Sequence, residues 1–146
     1  MSSSPIAVPE QRLTFCGSRP AELRNGRKAN TRWNKRHLTW CIINRLPHFT
    51  LEQQVAHTEW ALDQYRVVTS GWFSYERTDK ADTADIILTT FRDRPYGVLA
   101  DMQLPPGDDR QLLGRFDAAE NWNRTPQDVQ YQLTALHELG HAHGLD

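Results

Sequence analysis

The feature that most constrains this chain is the pentapeptide His-Glu-Leu-Gly-His at residues 137–141. Histidines four positions apart are neighbours on one face of an α-helix, so both imidazoles can reach a single ion from the same side. The pentapeptide therefore predicts a helix that presents a pair of metal ligands.

The residues around the pentapeptide carry the start and stop signals of a helix. Thr125 and Asp128 form an acidic capping pattern, Pro126 suits the first helical position, and Gly144 offers a stop. We expect a helix from about residue 125 to Gly144. Three apolar side chains are expected to face the core: Val129, Leu133 and Leu136.

Zinc is the ion that this arrangement suits, because imidazole nitrogen is a good zinc ligand. We expect His137 and His141 to hold it, while Glu138 lies beside the open position. There Glu138 would take a proton from zinc-bound water and pass it to a leaving amine. A five-residue match also arises by chance on charged helices. Gly144 extends the match to HExxHxxG, which makes chance the weaker explanation.

The rest of the chain predicts an α/β fold. Thr50 and Gln53 form a capping box that opens a helix running to about Thr69. Five segments have the composition of strands: residues 38–44, 72–76, 84–91, 97–104 and 112–116. The order of strand, helix, several strands and helix favours a twisted mixed sheet with both helices packed on it.

Length, net charge and apolar patterning limit the classes of partner that this chain is expected to bind. A chain of 146 residues fits one domain, and a net charge of −1 indicates neither nucleic-acid nor membrane binding. No apolar run is long enough to span a bilayer, and no signal peptide is visible at the start. Residues 1–31 are interpreted as a flexible tail. Its basic cluster is interpreted as solvated, rather than as a polyanion site, because no aromatic residues are interleaved with it.

Several segments together resemble the matrixin branch of the metzincin peptidases. The matching stretches, in chain order, are TRWNKRHLTWCIIN, ALDQYRVVT, ADIIL, GRFDAAENW and HELGHAHGLD, within residues 31–146. The resemblance implies a mostly parallel five-stranded sheet, a backing helix and an active-site helix at residues 32–146, the N-terminal subdomain of a catalytic domain. It also implies a zinc-dependent endopeptidase acting on extended protein or peptide segments. Residues 1–31 would then be a propeptide-like tail.

The resemblance assigns further sites. Leu99 and Ala100 would lie on an edge strand and pair with the substrate. Asp117 and Glu120 match two calcium-binding carboxylates, although calcium needs six or more oxygen ligands. Cys16 would be an inhibitory zinc ligand, although its surroundings lack the arginine that usually precedes such a cysteine.

Other features depart from the family pattern. Asp101 and Arg115 stand where the family often has histidines for a second, structural zinc, and we expect no such zinc. The third catalytic ligand belongs at position 147, one residue beyond Asp146. We therefore expect the chain to be part of a longer protein.

Two functional alternatives stay open on the sequence alone. The first is an active zinc endopeptidase, and the second is an inactive metal-binding or protein-binding domain that keeps the fold. Location is undetermined, since the resemblance suggests an extracellular protein and no signal peptide is visible. The sequence does not indicate the oligomeric state.

Overall fold

The computed structural model describes residues 32–92, 98–122 and 130–145. The elements follow one another as β1 (His37–Ile42), α1 (Leu51–Val68), β2 (Ser74–Arg77), β3 (Ile86–Phe91), β4 (Ala100–Met102), β5 (Leu112–Asp117) and α2 (Gln130–Ala142). The predicted tail, at residues 1–31, lies outside the described residues. None of the described helices is both long and apolar enough to cross a membrane.

The five strands form one sheet in the order β2-β1-β3-β5-β4. β1 pairs in parallel with β2 and β3, and β3 pairs in parallel with β5. β4 is the exception, since it lies at one edge and runs antiparallel to β5. The predicted α/β fold with a mixed, mostly parallel five-stranded sheet and two helices is confirmed.

The main core lies between the helices and one face of the sheet. Leu38 and Trp40 alternate onto this face of β1, and Ile86 and Leu88 do so on β3. Cys41 and Ile87 point to the opposite face, where they form a smaller buried cluster. Because β3 lies in the middle of the sheet and is covered on both faces, it is apolar throughout its first half.

The first helix begins as its capping box predicts. The Thr50 hydroxyl accepts a hydrogen bond from the Gln53 backbone N–H, and the Gln53 side chain accepts one from the Thr50 N–H. The helix ends before Ser70 and Gly71, which both have positive φ angles, of 53° and 78°. α1 and α2 pack against each other, and Ala61 and Leu62 of α1 belong to the main core.

The helix α2 buries a stripe at Tyr131, Ala135, Leu139 and Ala142, spaced as successive helical turns require. The prediction that Leu133 faces the core is wrong, because its side chain is 60% exposed. It lies about 160° round the helix from Tyr131 on a 3.6-residue repeat. Leu136 packs at the margin of the core, and Val129 lies outside the described residues.

Candidate metal centre

The two histidines of α2 converge on one point in front of the helix. Nε2 of His137 lies 3.2 Å from Nε2 of His141, and the rings are nearly perpendicular, with centroids 4.8 Å apart. Two nitrogen ligands at about 2.0–2.1 Å from a tetrahedral zinc ion lie about 3.3 Å from each other. The two nitrogen atoms therefore already have the separation that a shared zinc ion requires.

A backbone carbonyl determines which ring nitrogen of neutral His141 carries the hydrogen. Its Nδ1 donates a hydrogen bond to the carbonyl oxygen of Leu145, at 2.8 Å. Because Nδ1 carries the hydrogen, a neutral ring has its free lone pair on Nε2, the atom that faces His137. Histidine ligands of zinc commonly have such an outer partner, which fixes both the tautomer and the ring plane.

The carboxylate of Glu138 lies next to the histidine pair, on its buried side. Glu138 is fully buried, and its Oε2 lies 4.0 Å from Nε2 of His137, whose side chain is 41% exposed. One potential ligand atom from each of His137, Glu138 and His141 lies within 4.8 Å of the other two. In the part of the chain that the structure describes, this is the only group of three or more such side chains that could hold an ion. A buried carboxylate beside one exposed and one half-buried imidazole suits a base that acts on water at an ion held by the two rings.

The helix α1 supports the centre from the other side. The Tyr65 hydroxyl donates a hydrogen bond to the Leu136 carbonyl, and burial raises the pKa of Tyr65 to about 12, so it stays protonated. A Cβ atom at Gly140 would lie only 2.8 Å from this hydroxyl oxygen. Glycine at position 140 therefore allows the two helices to approach at the level of the histidine pair.

His143 points away from the histidine pair, towards Tyr65 and Tyr75. Its ring stacks on Tyr65 with centroids 4.5 Å apart and hydrogen-bonds Tyr75 and the Leu139 carbonyl, each at 2.6 Å. Burial lowers the pKa of His143, and the bond to the Leu139 carbonyl partly opposes that shift. Sequence reasoning did not find the partners of His143, because they lie on α1 and β2.

The edge strand β4 includes Ala100 but not Leu99, which precedes it, and the main-chain groups of these two residues point in opposite directions. The Leu99 carbonyl accepts from the Asp117 N–H at 2.8 Å, and the Gln103 N–H donates to the Leu113 carbonyl at 3.1 Å. Odd-numbered residues thus direct their main-chain groups towards β5. In an antiparallel ladder the intervening residue, Ala100, directs its own N–H and C=O to the opposite side.

Comparison with known proteins identifies the family. Residues 32–146 match the family model Peptidase_M10, described as Matrixin. The chain belongs to the matrixin family. It is 32% identical over 124 residues to stromelysin-1 of Equus caballus, and 31% identical over 123 residues to macrophage metalloelastase of Rattus norvegicus. A third relative, matrix metalloproteinase-2 of Drosophila melanogaster, is 30% identical over 126 residues.

These alignments include 78%, 79% and 78% of this chain, but only 25%, 26% and 16% of the relatives. The chain thus spans about a quarter or less of their length. Membership of the matrixin family supports a zinc metallopeptidase function in general terms, and the His137, Glu138 and His141 cluster is compatible with zinc.

Asp101 and Arg115, the positions matched to structural-zinc histidines, contact each other. They face one another across β4 and β5, and Arg115 Nε donates to Asp101 Oδ1 at 2.9 Å. The guanidinium also lies 5.6 Å from the ring centroid of Phe91. A guanidinium has no lone pair to offer zinc, and the expected absence of a structural zinc stays a prediction.

The other implied sites are only partly described. Oδ1 of Asp117 accepts a hydrogen bond from the Ala119 N–H at 2.9 Å, and Glu120 follows in the same turn. Within residues 32–92, 98–122 and 130–145, no set of three potential ligands includes these two acids. Cys16, Asp146 and residues 93–97 lie outside the described residues.

Proposed function

We propose that this chain contributes the zinc-binding helix and the substrate-binding edge strand of an endopeptidase that cleaves extended protein segments. The observation that carries the proposal is the 3.2 Å separation of the two Nε2 atoms, with a fully buried Glu138 next to them. A chance HExxH on a surface helix would not bury its glutamate.

The chain's own residues have separate roles in this proposal. Zinc, when bound, supplies a Lewis acid that makes water more acidic and polarises the substrate carbonyl. His137 and His141 would hold the ion through Nε2. Glu138 accepts the proton of the attacking water and returns it to the amine of the departing product.

The edge strand supplies the substrate contacts. We assign main-chain pairing with an extended peptide to Ala100, whose N–H and C=O point away from β5. Leu99 directly precedes this strand and packs against the core, so its side chain would shape the adjoining surface. Strand addition of this kind gives affinity through the backbone and selectivity through alternate side chains.

The remaining assignments rest on family membership. We propose that Asp117 and Glu120 contribute to a calcium site, supported by their closeness in one turn after β5. Cys16 is proposed as an inhibitory zinc ligand, because thiolate binds zinc well. A location outside the cell is proposed on the same ground.

The alternative function is a domain that binds metal or protein without catalysis. It is favoured by the ligand count, since the described residues supply two nitrogen ligands where a catalytic zinc usually has three protein ligands. Zinc binding without hydrolysis in the unaltered chain would support this alternative.

Two substitutions test the catalytic proposal. Glu138→Gln should keep zinc affinity within about threefold, because the carboxylate is not a ligand, and should lower turnover by about 100-fold or more. His141→Ala should lose both zinc and turnover. Calorimetric zinc titration and cleavage of an unfolded protein substrate measure the two effects. Hydrolysis that persists in Glu138→Gln would remove the base role assigned to Glu138.

A further inference from the structure

The helix α2 ends in a turn that carries the outer partner of His141. The Gly144 N–H donates to the His141 carbonyl at 2.8 Å, and the Leu145 N–H donates to the Gly140 carbonyl at 2.9 Å. Gly144 has a φ angle of 94°, in the left-handed region. These features define a Schellman motif, in which the chain reverses over the last helical turn. The reversal is what places the Leu145 carbonyl on Nδ1 of His141.

His143, the last residue before that reversal, is held from several sides. Its Nδ1 donates to the Leu139 carbonyl, so Nε2 is left as an acceptor for the Tyr75 hydroxyl, both at 2.6 Å. Tyr65 stacks on one face of the ring, and Phe73 meets it edge-on with centroids 5.0 Å apart. Both nitrogens and the ring plane are therefore fixed by groups on α1, α2 and β2.

We infer that Tyr75 and His143 are positioning residues for the zinc ligand His141. They hold the turn that keeps the Leu145 carbonyl on Nδ1 of His141, and thereby keep the Nε2 lone pair aimed at the metal. Neither residue touches the ion. The inference rests on the proposed function, in which His141 binds zinc.

Tyr75→Phe is the first test, because it removes only the hydroxyl and leaves the ring contacts in place. We expect its zinc dissociation constant to rise by about threefold to tenfold, at the low end of what outer-partner substitutions cost. The matched control is Tyr131→Phe, which removes a hydroxyl that hydrogen-bonds Thr58 at 2.8 Å. Tyr131 lies on α2, six residues before His137. This control should bind zinc within about twofold of the unaltered chain.

A second readout needs no metal. Nitrogen-15 NMR of the zinc-free chain, at mildly alkaline pH, reports which nitrogen of His141 carries the hydrogen. The unaltered chain and Tyr131→Phe should show the Nδ1–H form. Tyr75→Phe and Gly144→Ala should show a mixture of tautomers, because each loosens the turn that holds the Leu145 carbonyl. A mere loss of stability would not change the tautomer of one ring.

The outcomes separate the inference from the proposed function. If Tyr75→Phe and Gly144→Ala keep both the Nδ1–H form and the original zinc affinity, the positioning role is wrong, whether or not the chain hydrolyses peptides. If the unaltered chain and His141→Ala bind zinc equally, the proposed metal site fails instead. In that case the tautomer measurement still decides whether Tyr75 and His143 position His141.

Discussion

At the scale of single residues, Gly140 is explained by the Tyr65 hydroxyl, which lies where a Cβ atom would have to go. The spacing of His137, Glu138 and His141 on a helix implied that they would group, and one ligand atom from each lies within 4.8 Å of the others. The role of Gly140 was not predictable, because the hydroxyl that lies over it belongs to Tyr65 on the other helix. A residue of this kind is explained by its partner and not by its neighbours in the chain.

Gly140→Ala tests that explanation. Alanine favours a helix interior over glycine by about 1 kcal/mol, so the substitution would be stabilising if space allowed. Because the new Cβ would lie 2.8 Å from the Tyr65 hydroxyl oxygen, we expect Gly140→Ala to destabilise the unaltered chain. In a Tyr65→Phe background the nearest ring carbon lies 3.8 Å away, an ordinary contact, and the same change should be neutral or stabilising.

Urea unfolding of the four combinations measures this change of sign. A destabilisation by Gly140→Ala of equal size in both backgrounds would show that the hydroxyl is not what excludes a larger residue.

At the scale of elements, local patterns predicted the kinds of structure well and their contacts poorly. The capping box at Thr50 marked the start of α1, and the apolar composition of β3 marked the middle of the sheet. Of the strand predicted at residues 97–104, the structure has Ala100–Met102 as strand, bounded by hydrogen bonds from Leu99 and Gln103 to β5. The exposure of Leu133 was missed because a helical repeat alone does not say which stripe the partner helix will cover.

The edge strand β4 offers a prediction at this scale. The Asp101 side chain is 13% exposed and the Arg115 side chain 34% exposed, so removal of either leaves a partly buried charge that has lost this ion pair. We expect Asp101→Asn and Arg115→Met each to lower the free energy of unfolding by about 1–3 kcal/mol. The double variant should lose less than the sum of the two, because neither charge is then left alone.

Chemical denaturation measures these free energies of unfolding. A chelator is included so that bound metal does not contribute to them. The coupling should also shrink in high salt, because screening weakens partly exposed charges. Strictly additive losses would mean that the contact does not hold β4 to β5.

At the scale of the whole molecule, the end of α2 is tied to distant parts of the chain. The Trp33 indole donates to the Ala142 carbonyl at 2.7 Å, across 109 positions of sequence. Tyr65 and Tyr75 reach the same helix across 71 and 68 positions. Such contacts leave no periodic trace, which is why the fold class was predictable from the sequence while the support of the metal centre was not. Because of these contacts, we expect the metal-binding turn to unfold together with the core.

Zinc should therefore stabilise the entire fold and not only one turn of helix. A ligand that binds the folded chain and not the unfolded one contributes about 2.7 kcal/mol at one hundred times its dissociation constant. We expect the thermal midpoint to rise with zinc concentration in the unaltered chain and in Glu138→Gln. His137→Ala should show no rise, because one histidine of the pair at 3.2 Å is gone.

Calcium provides an internal comparison in the same thermal experiment. If Asp117 and Glu120 bind it, calcium should raise the midpoint of His137→Ala as much as that of the unaltered chain, and Asp117→Asn should abolish the rise. The zinc effect should persist in Asp117→Asn, since the two sites share no ligand.

A midpoint that stays constant with rising zinc, while calorimetry shows zinc bound, would mean that the unfolded chain binds zinc equally well. The histidine pair would then owe its affinity to spacing along the chain and not to the folded turn of α2.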